Sequence, residues 1–172
     1  MIRRLGSHVG KRILFGYDRY LVPDLAVYRE ALRPRGEVVE AVDVKHLHYL
    51  SSAELVCQAL QASATGDVES FGILCCGTGM GMSIAANKFR GIYAARCTTF
   101  EDAELARTIN NANVLCIAAN LGSERNLAII ETFMTTAYTG RKLEELEYIT
   151  QFEDLAPSMS IGHKLRTIRR TA

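Results

Sequence analysis

The chain has 172 residues, 48% of them hydrophobic, with 20 Lys and Arg against 19 Asp and Glu and a formal net charge of +1. That length supports one domain with a core large enough to fold without staples. The balanced charge excludes a global electrostatic case for nucleic acid, and the apolar runs are too short to cross a bilayer.

Arg12–Tyr17 (RILFGY) reads as a short apolar strand. Pro23 follows where a first helical turn tolerates it, and Asp24–Leu32 carries apolar residues at helical spacing up to Gly36. Glu37–Val42 reads as a second strand. Ser51 or Ser52 is positioned to cap the next helix, with Glu54 as a capping-box partner for Ser51, and that helix runs to about Ala64. Phe71–Cys75 is the most apolar strand and so the central one. Met80–Lys88 reads as helix, Ile92–Cys97 as strand, Glu101–Asn110 as helix, Asn113–Ala118 as strand and Glu124–Ala137 as a long amphipathic helix closed by Gly140. A more polar helix and a tail follow. The alternation predicts an α/β fold, a Rossmann-like three-layer αβα sandwich around a mainly parallel five-stranded sheet. Its ligand is expected beyond the carboxyl ends of the strands, at Asp18, Asp43, Cys76–Gly81 and Thr98–Thr99.

Five cysteines occur, Cys57, Cys75, Cys76, Cys97 and Cys116. The number is odd, no CxxC pair exists and no nearby histidine completes a zinc pattern, so no metal site and a reduced, cytoplasmic setting are expected. The first residues lack the apolar core of a signal peptide. Basic residues cluster at both ends, Arg3, Arg4, Lys11 and Arg12 at the start and Lys164, Arg166, Arg169 and Arg170 at the finish. Both clusters read as solvated termini or subunit contacts.

The stretch CGTGMG, Cys76–Gly81, carries the chemistry. Glycines at 77, 79 and 81 permit a tight turn whose N–H groups approach a ligand, and with the following helix they form an anion-binding nest. The turn is not a dinucleotide fingerprint, which needs two residues between its last glycines and belongs in the first βα turn. Lys88 is too far away for a Walker loop. Cys76, just before the nest, joins a thiol to an oxyanion hole. That pair suits proton abstraction beside a carbonyl, or alternatively nucleophilic attack. Cys57, Cys97 and Cys116 read as structural, and Cys75 faces away from Cys76 by strand alternation.

The block GILCCGTGMGMSIAANKFRGIYAARCTT, continued by ARTINNANVLCIAA, resembles the ribose-5-phosphate isomerase B and galactose-6-phosphate isomerase family. The resemblance covers residues 11 to about 149, with 150–172 left as a basic extension or dimer-contact tail. It implies cofactor-independent aldose–ketose isomerisation of a phosphorylated sugar through a cis-enediolate, and a homodimer with shared active sites, in some members a tetramer. By this resemblance Cys76 is the base and Thr78 the hydroxyl near the sugar oxygens. Gly77, Gly79, Met80 and Gly81 form the anion hole, Asp18 and Asn110 contact substrate, and Arg141 reaches the phosphate, commonly in the partner subunit's site.

The chain departs from the family pattern around that loop. The HNDAN motif reads Ile109-Asn110-Asn111-Ala112-Asn113, which removes the histidine that opens a furanose ring. Arg19 replaces a histidine after Asp18 and adds a forked anion donor. The YPD segment reads Tyr49-Leu50-Ser51, the GER segment reads Ala118-Ala119-Asn120, and Glu145 stands where a second C-terminal arginine is usual. His46 and His48 are the candidates to replace the missing histidine. The expected substrates are therefore ribose 5-phosphate with ribulose 5-phosphate, or a tetrose phosphate that is already open. The competing expectation is a non-catalytic or heteromeric partner subunit of such an isomerase.

Overall fold

The computed structural model describes residues 9–63 and 69–155. Its strands are β1 (Arg12–Tyr17), β2 (Glu37–Glu40), β3 (Ser70–Cys76), β4 (Ala94–Arg96) and β5 (Val114–Ala118). They form one sheet in the order β2-β1-β3-β5-β4, and every pairing is parallel. The helices are α1 (Leu25–Leu32), α2 (Tyr49–Ser63), α3 (Met80–Ala86), α4 (Phe100–Thr108), α5 (Ser123–Thr135) and α6 (Leu143–Leu155). The expected sandwich is therefore observed, with helices on both faces of the sheet.

Strand alternation divides the core into two layers. Ile13, Phe15, Phe71, Ile73, Cys75, Leu115 and Ile117 pack with Tyr28 and Leu32 of α1, Ala103 and Ala106 of α4, and Ile129 and Phe133 of α5. On the other face Leu14, Leu74, Cys76, Val114 and Cys116 pack with Val56 and Leu60 of α2 and Met82 and Ala86 of α3. Every residue of β3 is buried, as befits the middle of a sheet covered on both sides. Gly16 and Gly72 let α2 lie close: a Cβ at either would stand within 2.9 Å of a Val56 methyl.

Several element ends differ from expectation, each for a local reason. The first helix begins with a 3-10 turn at Val22–Asp24 that holds Pro23. Helix α2 starts at Tyr49, so Ser51 and Ser52 lie inside its first turn rather than capping it. Ser52 instead donates to the Tyr17 carbonyl at 2.7 Å, and Glu54 accepts from Gln58. Strand β4 is short because side chains replace its ladder. The Asn113 amide bridges Gly91 and Tyr93, and the Asn87 amide satisfies both backbone groups of Ala94. That second bridge covers a sheet edge otherwise open to pairing. Thr98 and Thr99 are a helix cap: Thr99 forms a capping box with Asp102, and Asp102 also accepts from the Thr98 N–H and hydroxyl. These bonds hold the Asp102 carboxyl below its ordinary value.

After Gly140, at φ +77°, α6 buries Leu146 and reaches back to the turn before β4. Glu153 accepts from the Gly91 N–H at 2.9 Å and Asp154 pairs with Arg90. Of the basic clusters, Arg3, Arg4, Lys164, Arg166, Arg169 and Arg170 lie outside the described residues.

Candidate active site

The chain leaves β1 toward β2 on one side and returns to β3 on the other. The carboxyl ends of β1 and β3 thus flank a crevice of the kind where open α/β sheets bind ligands. Asp18 follows β1 and Cys76 ends β3. Register pairs Tyr17 with Cys75, and the Asp18 N–H donates to the Cys75 carbonyl at 3.1 Å.

Cys76 is 5% exposed, on the α2/α3 face of the sheet. The chain then turns through Gly79 at φ +73°, the left-handed region that glycine enters without penalty. This curl aims the Gly79 N–H at the Cys76 Sγ, 3.2 Å away. An N–H so placed stabilises negative charge on sulfur. Burial raises the thiols of Cys57 and Cys97 to about 12 and pushes those of Cys75 and Cys116 up as well. These four are therefore protonated at neutral pH, as the structural reading expects.

Two tyrosines bound the glycine loop. A Cβ at Gly77 would lie 3.3 Å from the Tyr20 ring, and one at Gly81 would lie 2.7 Å from the Tyr49 ring. The Thr78 hydroxyl accepts from the Met80 N–H at 3.4 Å. Its carbonyl accepts from Arg96 Nε at 2.8 Å, and the Gly77 carbonyl accepts from the Asn120 N–H at 3.2 Å.

Asp18 is also only 5% exposed. Its carboxylate accepts from the Tyr20 N–H at 2.9 Å and from the Gly77 backbone. Burial raises its carboxyl above the ordinary value, against the pull of those bonds and of nearby Arg19 and His48. Arg19 is exposed, with its guanidinium 5.2 Å over the Tyr20 ring. Cys76, Gly77, Thr78, Gly79, Met80, Gly81, Asp18 and Arg19 are therefore neighbours at one end of the sheet. Nearby, the His48 ring packs on Tyr49 at 4.7 Å, whereas His46 is bonded to Asp43 at 2.6 Å. Among the described residues no group of three or more His, Cys, Asp or Glu gathers as a metal site.

Asn110 and Arg141 lie elsewhere. Asn110 is in the turn after α4, before β5, whose first residue Val114 pairs with Gly72 while Ala118 pairs with Cys76. Four residues of strand, about 13 Å at 3.3 Å each, separate the two levels. Thr139 donates to the Thr108 carbonyl at 2.9 Å, and the Tyr138 hydroxyl donates to the Arg141 carbonyl at 2.9 Å. The Asn110 turn and the Arg141 segment are thus side by side at the amino edge of the sheet. Arg107, buried between them, donates to Thr136, Asn111 and Ala112; burial lowers its pKa to about 10.

Sequence reasoning missed Arg96, Tyr20 and Arg107, and gave Ser52 the role of a cap. Arg96 was accessible by the same strand-mouth rule, since it ends β4. The other three announce themselves only through partners 29 to 35 residues away or across a turn, which periodicity does not reveal.

The family model described as Ribose/Galactose Isomerase matches residues 29–149. The chain is 45% identical over 102 residues to a 4-deoxy-4-sulfo-D-erythrose isomerase of Clostridium sp. (strain MSTE9), covering 56% of this chain and 58% of that one. It is 42% identical over 82 residues to a D-erythrulose-4-phosphate isomerase of Pectobacterium atrosepticum, covering 45% and 54%. The chain therefore spans a little over half the length of these curated relatives. The structure of Leishmania infantum type B ribose 5-phosphate isomerase superposes with a TM-score of 0.77 at 36% identity, over 84% of this chain and 97% of that one. The family match runs from within α1 into α6 and takes in the glycine loop that carries Cys76; the chain belongs to the ribose/galactose isomerase family.

Proposed function

We propose that this protein interconverts the aldose and ketose forms of a small sugar with an anionic terminus, through a cis-enediolate and with Cys76 as base. The observation that carries the reading is the 3.2 Å approach of the Gly79 N–H to the Cys76 sulfur beside the buried carboxyl of Asp18. The thiolate takes the proton from the second carbon of the aldose. The electron pair shifts onto the carbonyl oxygen, where backbone N–H groups of the glycine loop hold the charge. The thiol returns its proton to the first carbon, and the hydroxyl proton passes from the second oxygen to the first. Asp18, its carboxyl raised by burial, suits that oxygen-to-oxygen transfer, and Thr78 orients the hydroxyls.

The substrate favoured is a four-carbon sugar ending in phosphate or sulfonate. Ile109 has no proton to give to a ring oxygen, and a tetrose blocked at its last oxygen cannot close a furanose. Two relatives described above are named for four-carbon sugars of this kind. Ribose 5-phosphate and ribulose 5-phosphate remain the alternative substrate pair. Arg19, beside the crevice, holds the anionic end. Asn110 and Arg141 stand at the far edge of the same chain, so they serve a Cys76 site only when a second chain brings them there. A symmetric homodimer supplies them twice; a different partner chain would make the protein one half of a heteromer.

The test is proton NMR in heavy water with tetrose, pentose and hexose phosphates and four-carbon sulfonates, beside Cys76→Ala and Ile109→His. Solvent deuterium entering the carbon-bound position with ketose formation, absent in Cys76→Ala, is the expected result. Ile109→His is expected to gain activity on cyclic pentose phosphates. No exchange on any compound by folded protein would overturn the reading.

A further inference from the structure

The Thr78 carbonyl and the Gly79 N–H belong to one peptide group. Arg96 Nε donates to that carbonyl at 2.8 Å, and that N–H donates to the Cys76 Sγ at 3.2 Å. A guanidinium, a peptide and a thiol are therefore in series: Arg96 Nε–H to Thr78 C=O, then Gly79 N–H to Cys76 Sγ. Hydrogen bonds chained through a peptide polarise one another. A cation pulling on the carbonyl oxygen makes the N–H on the same peptide a stronger donor. We propose that Arg96 is a positioning residue that sharpens the Gly79 N–H and so strengthens its hold on the Cys76 sulfur.

This deepens the reading of Cys76 as the base and rests on it. Three features of the fold favour it. Arg96 is the last residue of the edge strand β4, so its backbone is fixed by the sheet while its side chain crosses to the loop. The donor is the Nε–H of a planar guanidinium rather than a freely rotating ammonium, so the direction of the bond is set. And the loop is braced on its other side, through the Gly77 carbonyl, which accepts from the Asn120 N–H. Polarisation at Thr78 is thereby passed on to Gly79 and not dissipated as movement of the loop.

Other titratable and charged groups around the thiol are Cys75 on its own strand, Cys116 on β5, Cys57 and Tyr49 on α2, His48 just before α2, and Asp18 and Arg19 at the end of β1. Asp102, at the start of α4, is the acidic neighbour of Arg96. Replacing Arg96 also removes its pull on Asp102 and Cys97; Arg96→Lys, which keeps a cation at this exposed position, separates that field from the series of bonds.

The experiment is the pH dependence of iodoacetamide alkylation of Cys76, followed by mass spectrometry of the intact protein and of peptides. Arg96→Met and Arg96→Lys are compared with the parent chain, and Cys76→Ala serves as the site control. It needs no sugar, so it stands or falls separately from the substrate and from the isomerase activity. Loss of a charge-assisted bond predicts a fall in alkylation rate at neutral pH of about three- to tenfold in Arg96→Met. The midpoint of the rate-against-pH curve is expected to move upward, with Arg96→Lys between the two. Circular dichroism establishes that the variants are folded. Two results would overturn the proposal: an Arg96→Met curve that overlays the parent, or a rate lowered equally at every pH with its midpoint unmoved, which would mean altered access only.

Discussion

The buried Ser52 hydroxyl, in the first turn of α2, donates to the carbonyl of Tyr17, the last residue of β1, at 2.7 Å. One bond thus ties the helix to the strand end that presents Asp18. Ser52→Ala removes the donor and leaves the buried carbonyl short of a partner, a loss of about 1–2 kcal/mol. Urea unfolding is expected to show a lower midpoint with an unchanged slope, and isomerisation to weaken more than the stability loss alone explains. A variant as stable and as active as the parent would show that α2 does not set the Asp18 position.

Asp18 itself links pH to stability. Burial raises its carboxyl above the ordinary 3.8. A carboxyl with a raised folded-state pKa supports the fold most below its unfolded value, and that support is lost as pH rises through the folded value. Asp18→Asn keeps an oxygen to accept from the Tyr20 N–H and carries no charge at any pH. Relative to the parent, it is expected to gain stability between about pH 3.5 and pH 7, while isomerisation falls. Chemical denaturation at the two pH values checks the sign; a variant-minus-parent stability that becomes less favourable toward neutral pH contradicts it.

Gly79 is the residue the loop least tolerates losing. Its φ is +73°, and a Cβ there would stand 3.1 Å from the backbone carbonyl of Ile117. Backbone cannot rotate away as a side-chain tip can. Gly79→Ala therefore meets both a left-handed penalty of about 1–2 kcal/mol and a contact with β5. It is expected to lower the melting temperature and, by moving the N–H off Cys76, to abolish isomerisation. Gly91→Ala is the control: it shares a positive φ, but nothing lies within 4 Å of its Cβ, so it bears the backbone penalty and spares the site.

What could be read in advance followed the physics of each feature. The apolar runs of β1, β3 and β5 were the clearest, because burial on both faces leaves an almost unbroken signal, whereas the edge strands β2 and β4 are short and partly exposed. The alternation of Cys75 and Cys76 to opposite faces followed from the two-residue period of a strand. Helix starts were less legible. Ser51 and Ser52 resemble a cap in isolation, but Ser52 has a better acceptor in Tyr17, 35 residues away. Thr98 and Thr99 at a strand mouth resembled ligand contacts, whereas Asp102 claims both as a cap. The cluster at Cys76 was legible because its residues are almost contiguous. The separation of Asn110 and Arg141 from it was not, since it follows from strand direction and from Thr139 meeting Thr108.

That separation leads to the most direct prediction about assembly. If Cys76 of one copy works with Asn110 and Arg141 of another, each site of a symmetric dimer takes parts from both chains. Cys76→Ala and Arg141→Ala are each expected to be inactive alone. Mixed, denatured together and refolded, half of the dimers pair one variant with the other. In such a dimer one site carries both defects and the second carries neither, so roughly a quarter of the parent activity returns. Co-refolding equal amounts and measuring ketose formation reads this directly. Recovery of activity requires sites shared between chains. Two inactive variants that stay inactive together, while size-exclusion chromatography shows mixed dimers, would show that no site combines Cys76 of one chain with Arg141 of the other.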